Sequence, residues 1–483
     1  MQPRMCPDDV AWEQAEETSE NWLAQFLKHD ILRPIDISCL SRTEDENEAS
    51  VIRLSQPGAV FFPEEKVVNE VAIMRFLIDK TSIPIPSIYQ SGTKKESPLE
   101  LSPFIIMDYI EHETKMYEAL NTPGCPIDER GILNPAIDQE RLETLYRQLA
   151  GILLQLSVPS LPRIGSLRQI DDFTWEVARR HLSMNMNELV RLGTLPQSKL
   201  PGLHTTFTTS SSYFEALADL NIEHLVHQRN DSVESADDCR RKFVARGLFR
   251  KLARDKRLTD PLLEEGPFKI WCDDLRPANM LLHSDLKIAG VVDWEFTYAA
   301  PAEFSYAPPW WLLIEKPEYW PKGLENWTRT FDHRLKTFIK VLKDCEESMI
   351  QQGRLDDHQR LSDRMQQSWE SGDFWISYAV LHSFAFDTIY WEKIDPRFFR
   401  PTQSPKEAWK ERLELLDDQE RDEMEQLVAR KLEEMKTRPL AWDPDECTLA
   451  FHQKLKERKE SAVGEKTQMT EPDEIHKVDN GPE

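Results

Sequence analysis

Asp274 and Asn279 stand five residues apart in the run Ile270-Trp271-Cys272-Asp273-Asp274-Leu275-Arg276-Pro277-Ala278-Asn279-Met280-Leu281-Leu282, and Asp293 follows fourteen residues later in Val291-Val292-Asp293-Trp294-Glu295. This grouping suits phosphoryl transfer, where the protein does little covalent chemistry and instead orients the acceptor and neutralises phosphate charge. Asp274 is the candidate base facing an acceptor hydroxyl. Pro277 fixes φ and stiffens the loop, so Asn279 beyond that turn can offer a carbonyl oxygen to Mg²⁺, with Asp293 as the second, charged ligand. Arg276 carries a fork of donors that suits the transferring phosphate. An isolated Asp-x-x-x-x-Asn also has a plainer explanation, since both residue types favour turns by bonding their own backbone. What favours the chemical reading is the rest of the pattern: strand-like runs before and after the loop, then Val-Val-Asp-Trp-Glu at hairpin distance.

Strands must therefore hold the two loops. Ile270 to Cys272, Met280 to Leu282 and Ile288 to Val292 read as short apolar strands, the last presenting Asp293 at its C-terminal end. Upstream, Val51 to Leu54 reads as a strand. Residues 64–80 read as a helix, with Val67, Val71, Met74 and Leu77 at three- and four-residue steps and Glu70 on the same element. Alternating prolines make 83–89 an extended connector, and Phe104 to Ile110 is a buried strand running into a polar turn.

These residues resemble the aminoglycoside phosphotransferase and choline kinase-like family, within the protein-kinase-like fold, and most of all its fungal-type branch. The resemblance rests on Gly266-Pro267-Phe268, on Cys-Asp-Asp-Leu-Arg-Pro-x-Asn, on Val-Asp-Trp-Glu-Phe-Thr-Tyr-Ala-Ala-Pro, and on Pro308-Pro309-Trp310-Trp311-Leu312-Leu313, and it runs from about Val51 to about Glu392. It implies an α+β, two-lobed fold, with a small β-rich nucleotide lobe, a large mainly helical lobe containing a helical insertion, and a C-terminal helical extension. It also implies an ATP- and Mg²⁺-dependent transfer to a hydroxyl of a small molecule.

By the same resemblance, Arg53 takes the place of the strand lysine that touches the α- and β-phosphates and Glu70 that of its helical carboxylate partner; a surface ion pair would also account for both. Arginine is a departure, because a planar fork is not a point charge. Asp108 and Ile110 take the place of the hinge that bonds the adenine edge, with Met107 packing on the ring, although a plain core strand accounts for the same three residues. Most of the family carries histidine and glycine where this chain has Cys272 and Asp273; the histidine is architectural, and Cys272 is expected to be a buried small hydrophobe.

One feature opposes efficient ATP chemistry. Kinase-like nucleotide lobes lay a hairpin, often glycine-containing, over the phosphates so that backbone amides approach the anion closely. Residues 1–52 contain no glycine, and the turn available there, Ser41-Arg42-Thr43-Glu44-Asp45-Glu46-Asn47-Glu48, carries four carboxylates that would repel a triphosphate. A catalytically weak kinase-fold binding or scaffold protein is therefore the alternative reading.

The formal charge of −25 over 483 residues disfavours nucleic acid and anionic membrane as partners and favours cationic, amine-bearing acceptors through long-range attraction. The seven cysteines are widely spaced with no CxxC pair, which fits reduced thiols in a cytoplasmic compartment. No run approaches the roughly twenty apolar residues that span a bilayer, and the N-terminus lacks an apolar signal core. The expected division is a helical segment over 1–34, a nucleotide lobe over 35–110, the catalytic lobe over 111–400, a helical extension over 401–446 and a disordered tail over 447–483. An aromatic group, Tyr298, Phe304, Tyr306, Trp310, Trp311, Tyr319, Trp320 and Trp327, is either a substrate wall or core at a helix junction. Glu295 and Glu303 are candidates for an acceptor amine, or solvated capping residues.

Overall fold

The computed structural model describes residues 41–42, 49–55, 60–97, 102–125, 129–229, 232–400, 402 and 407–437. The expected N-terminal helical segment over 1–34, the acidic residues 43–48 and the tail from 447 lie outside the described residues.

Hydrophobic strands gather at the N-terminal side. Strands β1 (Ser41–Arg42), β2 (Ala49–Leu54), β3 (Ile88–Gly92) and β4 (Phe104–Asp108) form one antiparallel sheet in the order β1-β2-β4-β3. Helix α1 (Pro63–Lys80) packs beside it. The chain enters α1 through Pro63 in the first turn, where a missing N–H costs nothing, and Glu64 and Glu65 complement the positive helix end. Its apolar stripe Val67, Val71, Met74 and Leu77 is buried as the spacing predicts. After Thr81 the segment containing Pro84 and Pro86 cannot continue the helix and runs extended into β3.

The C-terminal side is mainly helical. Helix α2 (Met116–Leu120) follows β5 (Thr114–Lys115), and α3 (Gln139–Ser157) is capped by Asp138, whose side chain accepts from the Arg141 amide at 2.9 Å. The hairpin β6 (Ser166–Asp171) with β7 (Thr174–Arg179) packs on α1. Then come α4 (Met184–Arg191), α5 (Ser210–His227) and α6 (Ala236–Arg254), the last two packed against each other. The long α7 (Gly323–Gln351) lies against α3, where Tyr146 and Phe338 meet edge to face with centroids 5.6 Å apart. One continuous apolar cluster runs from α1 through these helices to Met424. The architecture is thus α+β, with a small β-rich N-terminal part and a large helical C-terminal part.

Two details differ from the sequence pattern. The charged stretch 408–436 is not one helix: α8 (Ala408–Arg412) gives way to a 3₁₀ turn over Leu413–Leu415 before α9 (Asp418–Thr437). At the break, Arg412 makes a buried pair with Asp395 at 2.9 Å. The aromatic group splits. Tyr298, Phe304 and Trp327 are fully buried core, Tyr306 and Trp320 pack against that core at intermediate exposure, and Trp310, Trp311 and Tyr319 line a cavity.

Candidate active site

Two antiparallel pairs, cut from one stretch of chain, bring the candidate residues together. Strand β8 (Lys269–Cys272) pairs with β11 (Thr297–Ala300), Cys272 opposite Thr297, so the residues after β8 emerge beside those before β11. Strand β9 (Met280–Leu282) pairs with β10 (Ile288–Val291). Between these ladders the two loops are stitched directly: the Asp273 amide donates to the Phe296 carbonyl at 3.2 Å, and the Val292 amide to the Asn279 carbonyl at 3.0 Å. The Trp294 indole, buried, donates to the Val291 carbonyl at 3.0 Å and pins the second loop from below.

Within the first loop, Pro277–Asn279 form the rigid 3₁₀ turn that the proline called for. Asn279 Nδ2 donates back to Asp274, to its carbonyl at 2.9 Å and its carboxylate Oδ2 at 3.1 Å. Arg276 Nε lies 2.7 Å from Asp274 Oδ1. Asp274 is buried, and burial raises its pKa against the pull of Arg276 and the Asn279 hydrogen bond, with the like charges of Asp293 and Glu295 adding to the rise. Asp293 holds a left-handed backbone at φ 61°, a conformation that costs about 1 kcal/mol for a non-glycine residue and that the surrounding ladders enforce.

Arg53 and Glu70 do meet, and not as a surface pair. Arg53 on β2 reaches Glu70 on α1 at 2.5 Å, Asp293 Oδ1 at 2.7 Å and Glu295 Oε2 at 2.8 Å, while Glu70 is 2% exposed. Burial raises the Glu70 pKa and Arg53 lowers it. Lys66, one turn before Glu70 on α1, is a residue the sequence reading passed over; it pairs with the same Glu295 oxygen. Its position four residues before Glu70, on the same helix face, was the available signal.

Met107 lies in the sheet opposite Val51 and Ile88 and is buried. The Asp108 carboxylate accepts from the Ser87 amide at 3.1 Å and from the Tyr89 hydroxyl. Ile110 closes over Gly290 of β10, where an added Cβ would come within 2.1 Å of Ile110 Cδ1. Cys272 is buried, and burial pushes its thiol pKa up, so it packs as the small hydrophobe expected.

A cavity of about 740 Å³ opens on the other side of Asp274. Asp273, Asp274, Arg276 and Glu295 stand in its wall, facing Trp310, Trp311 and Tyr319, with Glu315 and Glu318 between. Arg53, Glu70, Met107, Asp108, Ile110, Asn279 and Asp293 are not part of that wall, and Arg53 joins it through Glu295. Glu303 lies outside it too; its carboxylate accepts from the Asp260 amide at 3.3 Å, and burial pushes its pKa up to about 7. Part of the aromatic surface is taken by the protein's own cations, Arg130 stacking 3.8 Å over Tyr319 and Lys316 lying 5.5 Å from Trp310.

Asp273 ties this cavity to the base. Its Oδ1 accepts from the Trp271 indole at 2.7 Å and the Tyr298 hydroxyl at 3.2 Å, and its Oδ2 accepts from the Met184 amide at 2.9 Å. Met184 opens α4, which supplies Asn185, Asn187, Glu188 and Arg191 to the cavity wall. In Asp273→Asn one amide donor must face a donor, an arrangement that costs about 1–3 kcal/mol. The expected result is a rise of roughly tenfold in acceptor KM with nucleotide affinity unchanged, since about 1.4 kcal/mol is a factor of ten; steady-state kinetics against each ligand checks it. Burial also pushes the Asp273 carboxyl up to about 6 from its ordinary 3.8. A carboxyl raised in the folded state favours folding most at low pH, so the stability of the wild type relative to Asp273→Asn should decline as pH rises from 3.8 to about 6.

Among the described residues no three His, Cys, Asp or Glu side chains gather as a metal cage. Asn279, whose carbonyl accepts from the Val292 amide, and Asp293, the residue after Val292, are nevertheless hard-oxygen donors of the kind Mg²⁺ uses when phosphates and water complete its shell.

No family model and no curated protein matches the sequence. Solved structures do. The chain is similar to a thermostable mutant of an aminoglycoside phosphotransferase in ternary complex with AMP-PNP and hygromycin B, at 14% identity over 73% of this chain and 93% of that one, with a TM-score of 0.34. It is similar to macrolide 2'-phosphotransferase type I at 11% identity, over 82% and 96% of the two chains and a TM-score of 0.37, and to an ethanolamine kinase of Plasmodium vivax at 13% identity, over 78% of each and a TM-score of 0.36.

Proposed function

We propose that the chain is an ATP- and Mg²⁺-dependent phosphotransferase acting on a hydroxyl of a small molecule. The observation that carries this reading is the placement of Asp274: a buried carboxylate, clamped by Asn279 and Arg276, at the border between an aromatic and acidic cavity and the Arg53–Glu70–Asp293 cluster.

Each residue then has a role its surroundings fit. Asp274, with one carboxylate oxygen facing Arg276 and the other Asn279, orients an acceptor hydroxyl in the cavity and takes its proton as the oxygen attacks. Its raised pKa makes it the better base. Arg276, half-exposed, neutralises phosphate charge beside it. Arg53, positioned by Glu70, contributes a second cation. Asn279 and Asp293 are the residues that would hold Mg²⁺, which when bound neutralises phosphate oxygens and sets the nucleotide against the acceptor. Met107, Asp108 and Ile110 are assigned to the adenine edge. The cavity volume admits an acceptor of drug size, larger than a simple amino alcohol. We assign the nucleotide lobe to 35–110, the catalytic lobe to 111–400 and a helical extension to 401–446, in a cytoplasmic enzyme of the fungal-type branch whose motifs the chain resembles.

A second reading, a kinase-fold binding protein without turnover, is favoured by one observation: Arg53 already occupies Asp293 Oδ1. Calorimetric titration with Mg²⁺-ATP, followed by a metabolite-extract screen for ATP consumption, separates the two. Heat and turnover support the enzyme; binding without turnover on any acceptor supports the second reading; no heat and no thermal shift at millimolar nucleotide sinks both assignments of the nucleotide site.

A further inference from the structure

Lys66 has no role in the reading above, and its position is costly. It stands in the first turn of α1, the end of a helix where the backbone dipole is positive and a cation is disfavoured. It is 7% exposed, so its ammonium has given up most of its water. Where stability alone is at stake, a well-packed apolar side chain serves a buried position at least as well as an ion pair.

What surrounds it is specific. Lys66 and Arg53 converge on the same oxygen, Glu295 Oε2, and Arg53 continues from there to Asp293 at 2.7 Å. Glu295 itself lies in the wall of the acceptor cavity, as does Phe296, whose ring centroid is 6.0 Å from Lys66 Nζ. The ammonium is therefore at the seam between the candidate metal turn and the acceptor cavity, reached from a helix rather than from the strand. A compact point charge on a flexible stem, beside a positive helix end, is the chemistry that receives a phosphate oxygen at close range.

We propose that Lys66 is a phosphate-binding residue of the nucleotide site, held on Glu295 until the terminal phosphate arrives, and that it supplies the point charge absent from the strand position occupied by Arg53. This rests on the phosphotransferase reading and names a residue that reading does not contain.

The test is calorimetric affinity for Mg²⁺-ATP, ADP and AMP on the full chain. Lys66→Met should weaken ATP at least about tenfold, ADP less than about threefold and AMP not at all, the steps expected when one charged contact worth about 1.4 kcal/mol or more is lost from the terminal phosphate alone. Lys66→Arg should recover part of the ATP affinity. Equal losses for all three nucleotides, or none for ATP, overturn the proposal while leaving the enzyme reading intact; a wild type that binds no nucleotide overturns both. If Lys66→Met does not fold, Glu295→Gln decides the matter: it releases Lys66 together with Arg53, and ADP tells the two apart, because Arg53 is assigned to the α- and β-phosphates that ADP shares. A gain in affinity for ATP that exceeds the gain for ADP supports the proposal, and an equal gain, no gain or a loss overturns it.

Discussion

Asp274→Asn should remove nearly all phosphotransfer, by roughly 10²–10⁴-fold in kcat, the range typical of losing a positioned general base, while leaving the thermal midpoint no lower than that of the wild type. The two halves of this expectation have one cause. The carboxylate is buried beside Asp293 and Glu295, and desolvation is the largest influence on it, ahead of the attraction of Arg276. A neutral amide of the same shape removes that penalty together with the base. The amide oxygen can keep the hydrogen bond from Asn279, and the amide nitrogen then meets Arg276, whose half-exposed guanidinium can turn to water, so the loop keeps its form. Steady-state kinetics and a thermal scan on the same preparation check both halves. A variant that keeps full turnover would remove Asp274 as the base, and one that unfolds would show that its role is architectural.

Arg53→Met should strongly destabilise the β-rich N-terminal part of the fold. Arg53 is the only side chain that touches Glu70, Asp293 and Glu295 together among the described residues, and its removal leaves the buried Glu70 without its closest cation. Breaking a buried pair from one side costs about 3–5 kcal/mol. The expected value is near the bottom of that range, about 3 kcal/mol, because a quarter of the Arg53 side chain still meets water. Added Mg²⁺ should recover part of the loss, since a divalent cation at Asp293 restores positive charge where the guanidinium was. Urea unfolding with and without Mg²⁺ measures it. A variant as stable as the wild type, or one indifferent to Mg²⁺, would show that the cluster neither supports the fold nor accepts the metal.

Much of the fold was legible because local pattern and tertiary demand agree there. Helix α1 carries its stripe of Val67, Val71, Met74 and Leu77 in plain view, and the strands on either side of Asp274 are short apolar runs bounded by polar turns. The meeting of Arg53 with Glu70 came through resemblance, since residues seventeen apart show no mutual distance in sequence. Other features depended on pairings between distant segments. The division of the aromatic group into core and cavity wall is decided by how α7 and the segment after β11 pack, and aromatic type alone cannot reveal it. Asp273 looked like a substitution for glycine; its three acceptor contacts come from Trp271, Tyr298 and Met184, and the last lies 89 residues upstream. Lys66 was hidden for the same reason, because its partner Glu295 is supplied by a different part of the fold.

The double stitching of the loops between β8 and β11 has a kinetic consequence. Asp274, Asn279 and Asp293 are ordered before any ligand arrives, so little conformational entropy remains to be lost on that side. For a cation to bind Asp293 as proposed, what must be undone is electrostatic, because Arg53 sits on Asp293 and would have to be exchanged for it. The barrier to entry is therefore a swap of partners between charged groups in direct contact, far closer than a Debye length, so added salt lowers it little.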